Sequence, residues 1–409
     1  MTAARKPHPA WRMMALCCLI QFGGMGVLAN SIGVFFPAVC GELGFTVSQL
    51  SLHITVRGVA TMLALPLASR LLAGRPSRLV VTPAAAALVL SIASMAFFHE
   101  LWQWYAVSVI YGVAGAFLFL NLSPIILTNW FRDRTGFAVG TAMAFSGLGG
   151  MVMSPVGTWL IDAYGWRAAY LVFAAVGAVT MIPAALMLVR APEDVGLEPY
   201  GAGTETAKAG AAEKSAPEAS ALPLGAPFWL FIAVALITSY ETVYIYHFPQ
   251  YTVSIGLTAM TGSMMSSASM AGNLAGKLGL GWVNDRMSAK STYCLGSAVT
   301  AAGIAVMLLF PGGGWLPCAG AFLYGACMAL TAVTVPLLAL ELFGRERYAK
   351  TLSAATMASS AIGGVGTVLV GAIYDGAGSY VPAFAAALVC CAAAPALLCA
   401  AYLLKTKKT

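Results

Sequence analysis

The chain has 409 residues, of which 60% are hydrophobic and only 9% charged, against roughly a quarter charged in soluble domains. Apolar stretches recur along nearly its whole length, which excludes an ordinary soluble domain and makes this an all-α membrane protein. The formal net charge of +7 lies in loops rather than on one basic face, so it does not indicate nucleic-acid binding.

A helix crossing the hydrocarbon layer takes about 20 apolar residues. In chain order the polar punctuation predicts twelve, near 12–36, 46–69, 79–98, 102–127, 137–160, 168–189, 226–250, 260–284, 291–310, 315–340, 351–374 and 380–404. Arg5 and Lys6 precede a first run that is long and lacks a small-residue cleavage site, so it reads as an uncleaved helix. Loop cations test the count independently, because Lys and Arg concentrate on the cytoplasmic side. With both termini inside, 19 of the 22 cations fall in cytoplasmic segments and only Arg167 falls outside. The two that remain, Arg57 and Lys277, lie within spans. This pattern implies a multi-pass protein of an inner (plasma) membrane.

Residues 191–224 are rich in Ala, Pro, Gly and charge, and read as a flexible cytoplasmic linker between six-helix bundles at 1–190 and 225–409. The bundles resemble each other: MAFSGLGGMVMSPVG at 143–157 matches MASSAIGGVGTVLVG at 357–371, and FRDR at 131–134 echoes FGRER at 343–347. Both copies of the loop fall on one side, so the repeat is parallel. Two six-helix bundles in parallel repeat form the major facilitator architecture.

The segment at 129–174 then carries a closer resemblance. Its N-W-F-x-x-R-x-G-x-A-x-G pattern, followed by YGWRAAY, resembles monocarboxylate porters and the related oxalate/formate antiporters. The stretch SIGVFFPAVCGELGFTVSQLS at 31–51 is similar to the same families, and GWVNDR at 281–286 resembles the superfamily's G-x-x-x-D-R loop, giving Asp285 and Arg286 a conformational role. The resemblance implies alternating access and an organic anion as substrate. It places Lys277 where those families have a carboxylate-binding arginine. Thr356 stands where the antiporter pattern has a further lysine, which argues against oxalate, and the loop at 69–78 lacks the superfamily's aspartate.

Ionisable residues inside spans cost a few kcal/mol each and are functional candidates by default. Lys277 attracts a carboxylate as a point charge, or else snorkels to the headgroups. Arg57, with His53 one turn away, has three readings: a substrate clamp, a partner for Glu241, or a gate ion pair. Tyr240, Glu241, Tyr244, His247 and Phe248 share a face at helical spacing. On that face Tyr240 and Tyr244 are substrate contacts, while Glu241 and His247 are proton-coupling or ion-pair candidates. Gly149, Gly150, Gly363 and Gly364 are helix-packing positions. The charges of Arg57, Lys277 and Glu241 sum to one positive, matching a monocarboxylate.

No Gly-x-Ser-x-Gly elbow, phosphate-binding loop or His/Cys/carboxylate set stands out, so the sequence gives no reason to expect an enzyme, a metal or a cofactor. The expected partners are a small carboxylate, protons and membrane lipids, with the chain as a monomer. Two rivals stay open: a dicarboxylate antiporter, and a membrane sensor that binds an organic acid without moving it.

Overall fold

The computed structural model describes residues 8–119, 121–202, 225–284, 286–312 and 314–406. Ten stretches among them are long and apolar enough to cross a bilayer. One of these, Thr135–Met187, is two helices meeting at Gly165, whose φ of 80° and ψ of 160° break the helical path. The helix Ala259–Asn284, made less apolar by its serines and Lys277, supplies the remaining crossing.

The twelve are α1 (Pro9–Leu43), α2 (Val47–Gly74), α3 (Ser77–Met95), α4 (Leu101–Trp130), α5 (135–164), α6 (166–187), α7 (Ala226–Ser254), α8 (Ala259–Asn284), α9 (Ala289–Leu309), α10 (Leu316–Gly344), α11 (Lys350–Ala377) and α12 (Val381–Thr406). The predicted gap between the fifth and sixth spans collapses to Gly165. Glycine alone adopts such a positive φ without strain, so one residue suffices for the turn.

Several helices are broken at matching places in the two halves. In α1 a π-helical stretch, Phe22–Asn30, leads to a 3-10 turn, Ile32–Phe35, before Pro37; in α7 a 3-10 turn, Thr242–His247, precedes Pro249. In α10 a π-helical stretch occupies Leu330–Thr334. Tight glycine contacts fix the α1 break. A Cβ on Gly149 of α5 would come within 2.8 Å of the Gly26 Cα and 2.5 Å of the Phe22 carbonyl oxygen. Each half has its own apolar core, centred on Phe35, Phe36, Tyr111 and Tyr170 in the first, and on Tyr244, Tyr251, Tyr324 and Phe384 in the second.

The connecting segment begins in an ordered way. After the 3-10 turn Pro192–Val195, Tyr200 pairs with the backbone at the end of α4: its N–H donates to Trp130 (2.9 Å) and its carbonyl accepts from Arg132 (2.8 Å). Trp11 packs edge-on against both Tyr200 and Phe131, at 5.6 and 5.4 Å. Residues 191–202 are thus strapped to the first half by backbone pairing and aromatic packing that their polar composition does not reveal. Residues 203–224 lie outside the described part.

Candidate functional site

The halves are sealed together toward the end that carries the loops 44–46, 96–100, 255–258 and 378–380. There α2 packs on α11, and α5 on α8. A Cβ on Gly371 would lie 2.9 Å from the Ser48 Cα, and one on Gly364 would lie 3.0 Å from the Thr55 Cα. Thr55 donates to the Gly364 carbonyl (2.7 Å), Ser267 donates to the Met151 carbonyl (2.5 Å), and Thr158 and Ser263 share a hydroxyl contact.

The start of α2 depends on the other half. An α-helix leaves its first amides without intrahelical partners. A capping box satisfies two of them: Thr46 Oγ1 accepts from Gln49 N–H (3.2 Å), and Gln49 Oε1 accepts from Thr46 N–H (3.0 Å). The amides of Val47 and Ser48 between them are bound by Asp375, at the end of α11, at 3.2 and 2.9 Å. A carboxylate of the second half therefore completes the helix cap of the first, with favourable alignment to the helix dipole.

Beneath the seal the helices part. On α8 the residues Ser263, Ser267 and Met270 face α5, and at a helix's three-and-four spacing the same stripe continues through Leu274 to Lys277. Facing that part of α8, Gly140 and Gly147 on α5 have no atom within 4 Å of an added Cβ. On the opposite side of the cleft a cavity of about 170 Å³ is walled by Met25 and Ala29 of α1, Arg57, Thr61, Met62 and Leu65 of α2, Phe119 of α4 and Ser360 of α11. The π-helical stretch of α1 supplies Met25 and Ala29, in keeping with sites formed where transporter helices are interrupted.

Arg57 is positioned from behind. Its guanidinium lies 5.2 Å from the centre of the Tyr111 ring, a favourable cation–π distance. Thr61 Oγ1 donates to the Arg57 carbonyl (2.9 Å) and also lies 2.9 Å from the Gly112 carbonyl, tying α2 to α4. Among the described residues no carboxylate comes within ion-pair distance of Arg57 or Lys277.

The remaining predicted site residues are elsewhere. Glu241 points into the second half: it is 1% exposed, neither carboxylate oxygen has a hydrogen-bond partner among the described residues, and its backbone carbonyl accepts from Tyr324 (2.5 Å). Among the described residues it forms no pair with Arg57, so the expected one-positive sum of three charges does not describe one site: Arg57 lines the cavity and the Glu241 carboxyl is set apart from it. Tyr244 is also interior, donating to the Ala383 carbonyl (2.7 Å) and packing on Phe384 at 5.4 Å, while Tyr240 stacks edge-on against Tyr244. Tyr240 and Tyr244 do share a face, and the 3-10 turn at 242–247, with three residues per turn, stacks Glu241, Tyr244 and His247 over one another, but these three are buried in protein and do not line the cavity.

His53 is 2% exposed and lies in the seal. Its Nδ1 is 2.5 Å from the Leu50 carbonyl, and its ring meets Phe36 at 6.2 Å. His247 meets the other side of Phe36 at 6.0 Å, with its nitrogens engaged by the Tyr380 hydroxyl and the Thr367 carbonyl. Neither histidine lines the cavity. Gly150 abuts Asn30 as a packing position should, whereas Gly363 faces open space and is not a packing contact. Arg286 lies over the Trp282 ring at 3.8 Å; Asp285 falls outside the described residues.

Comparison with known proteins settles the family. The model of the Major Facilitator Superfamily matches residues 14–279 and 230–409. The chain belongs to the Major Facilitator Superfamily. Among relatives, it is 24% identical to monocarboxylate transporter 13 of Rattus norvegicus, over 93% of this chain and 86% of that one, and 23% identical to the MFS-type transporter YhjX of Escherichia coli, over 60% and 59%. Among solved structures, the fold is similar to the nucleoside transporter NupG (TM-score 0.73, 14% identity, 97% and 99% covered) and to a D-xylose-proton symporter (TM-score 0.70, 13% identity, 95% and 96% covered). This member of the superfamily is therefore a multi-pass membrane transporter.

In this superfamily member the quoted motifs are structural. Asn129 and Trp130 donate to the carbonyls of Arg190 and Val189 at 3.3 and 2.9 Å, pinning the end of α6. In YGWR, Gly165 makes the turn, Trp166 donates to Glu42 (2.6 Å), and Arg167 forms an ion pair with Glu42. The functional positions that sequence reasoning missed are Asp375, Tyr111 and the apolar wall of Met25, Met62 and Phe119. The glycine cluster FGGMG beside the α1 break was a usable signal for that wall. Asp375 gave none.

Proposed function

We propose that this chain is a secondary transporter that moves a small organic monocarboxylate by alternating access, with Arg57 as the primary carboxylate contact and Lys277 as the second cation. The observation that carries this reading is Arg57 at the wall of a cavity lined by α1, α2, α4 and Ser360 of α11, with no acidic partner among the described residues. An unpaired cation at membrane depth is costly unless something anionic offsets it. Met25, Met62, Leu65 and Phe119 beside it suit an apolar tail. The relatives named monocarboxylate transporter support the same class. Uptake of labelled acids into proteoliposomes tests it: uptake competed by monocarboxylates supports the reading, and saturable binding without uptake makes the chain a sensor. A dicarboxylate exchanger is the second reading, favoured by two cations inside spans, Arg57 and Lys277, neither with a carboxylate partner among the described residues; counterflow with dicarboxylates separates the two.

In the proposed scheme Glu241 couples transport to protons. A buried carboxylate ion without a partner is costly, so a bound proton neutralises it in this conformation. Glu241→Gln is expected to weaken pH-driven accumulation severalfold while leaving substrate counterflow substantially intact. If the variant accumulates substrate under a pH gradient as the parent does, coupling lies with His53 or His247. Loss of expression and of both activities together makes Glu241 a structural residue only.

The proposed setting is an inner membrane, with both termini and residues 191–224 in the cytoplasm. The cation asymmetry of the loops supports this orientation. Reporter fusions after residue 210 and after residue 256 should give opposite sidedness, and finding both on one side would overturn the orientation.

A further inference from the structure

Away from the cleft, at the end of the molecule opposite the seal, a cavity of about 350 Å³ lies between the start of α3 and the end of α6. Ser77 opens α3, and the residue before it, in the cap position, is Pro76. Proline has no side-chain acceptor, and among the described residues no side-chain cap serves this helix; the Leu79 amide turns back to the Pro76 carbonyl (3.0 Å), which leaves the amides of Ser77 and Arg78 without a cap. Ser77 is 2% exposed and at the cavity wall, yet its Oγ has no hydrogen-bond partner among the described residues. A buried hydroxyl left unsatisfied is unfavourable, which points to a missing ligand.

The charges around this hydroxyl select the ligand. Arg78 and Arg190 line the cavity, as does Asp194. Asp194 accepts from Arg190 Nη2 (3.0 Å) and Nε (3.3 Å), so the carboxylate is neutralised by that arginine. Arg78 is left as the excess positive charge, beside a helix start that itself favours anions. We propose that this cavity binds a phosphate group, held by the Arg78 guanidinium, the Ser77 hydroxyl and the opening amides of α3.

A second cavity, of about 460 Å³, starts at Arg75 and runs along α2, α3 and α4 between Leu79, Pro83, Val109, Val113 and Phe117. It is apolar and opens on the outer face of the bundle, where Leu79 and Val109 are exposed. A phospholipid could lay an acyl chain there with its phosphate near Ser77. A free phosphate would use the first cavity alone. The phosphate chemistry at Ser77 and Arg78 is common to both.

The test uses the full chain, purified and stripped of lipid. Phosphatidylglycerol in phosphatidylcholine nanodiscs, and separately inorganic phosphate at millimolar concentration in detergent, are scored by the shift in unfolding midpoint, since a ligand of the folded state raises it. Retention of phosphatidylglycerol is then measured by native mass spectrometry. An upward shift with phosphatidylglycerol alone identifies a lipid site, and one with inorganic phosphate identifies a free-anion site; either supports the proposal. Arg78→Gln should lower the affinity about fivefold, the equivalent of one cation near an anionic surface. Ser77→Ala should lower it by a smaller factor and keeps the test open if the arginine variant misfolds. No shift with either probe, or unchanged binding in both variants, overturns the proposal. Transport measured in phosphatidylcholine alone reports on the central cleft, so its loss or retention bears on the proposed function and not on this site.

Discussion

Arg57→Ala is expected to lower substrate affinity and uptake by about a hundredfold, and Lys277→Ala by at least tenfold. Truncating one partner of a desolvated charge contact typically costs 2–5 kcal/mol, and each 1.4 kcal/mol is a factor of ten. Arg57 carries the larger expectation because it lines the cavity and is held from behind by the Tyr111 ring, whereas Lys277 reaches the cleft on a flexible stem. Arg57→Lys should recover part of the loss, since an ammonium keeps the point charge without the planar fork. Lys277→Arg should retain function for the converse reason. The measurement is a titration of the unfolding midpoint against candidate acids, paired with uptake at equal expression. If Arg57→Ala binds and transports as the parent does, the cavity at Arg57 is not the substrate site. Parent-like behaviour of Lys277→Ala alone assigns that lysine to snorkelling.

The second large effect is on conformation. Asp375→Ala is expected to shift the molecule tenfold or more away from the state sealed at the 44–46 end. In that state Asp375 binds two amides of α2 that the Thr46–Gln49 capping box leaves over. Hydrogen bonds to charged groups contribute about 1.5–3 kcal/mol, and helix caps about 0.5–2 kcal/mol. When the seal opens, water takes over the two amides, so the aspartate stabilises one state selectively, as a shift in population requires. Spin labels at positions 45 and 379, in a chain without native cysteines, report the separation across this end. The alanine variant should populate longer distances, and Asp375→Asn, which keeps one acceptor oxygen, should fall between it and the parent. A distance distribution unchanged in Asp375→Ala would mean that the glycine contacts at Gly364 and Gly371 alone hold the seal.

The sequence alone determined the solvent and the architecture. Sixty per cent hydrophobic composition, cations concentrated in loops on one side, and glycine-rich segments repeated in parallel all act locally or by simple counting, so twelve helices in two halves could be read without coordinates. It also marked Arg57 and Lys277, because a charge inside an apolar run is conspicuous wherever the helix is placed. Which way a side chain points was a different matter. Helical spacing puts Tyr240, Glu241 and Tyr244 close together, but whether they meet a cavity or a core depends on what packs against α7, and here α10 and α12 cover Glu241 and Tyr244, leaving them in the interior of the second half. A Glu241 partner is one of three readings the sequence leaves open for Arg57, and the two residues belong to different surroundings. Asp375 is an unremarkable aspartate near a helix end, and becomes a cap only because α11 is packed against the start of α2. Composition and periodicity report what each segment is. The contacts between the halves are set by close helix approach across long stretches of chain, and only the tertiary structure decided them.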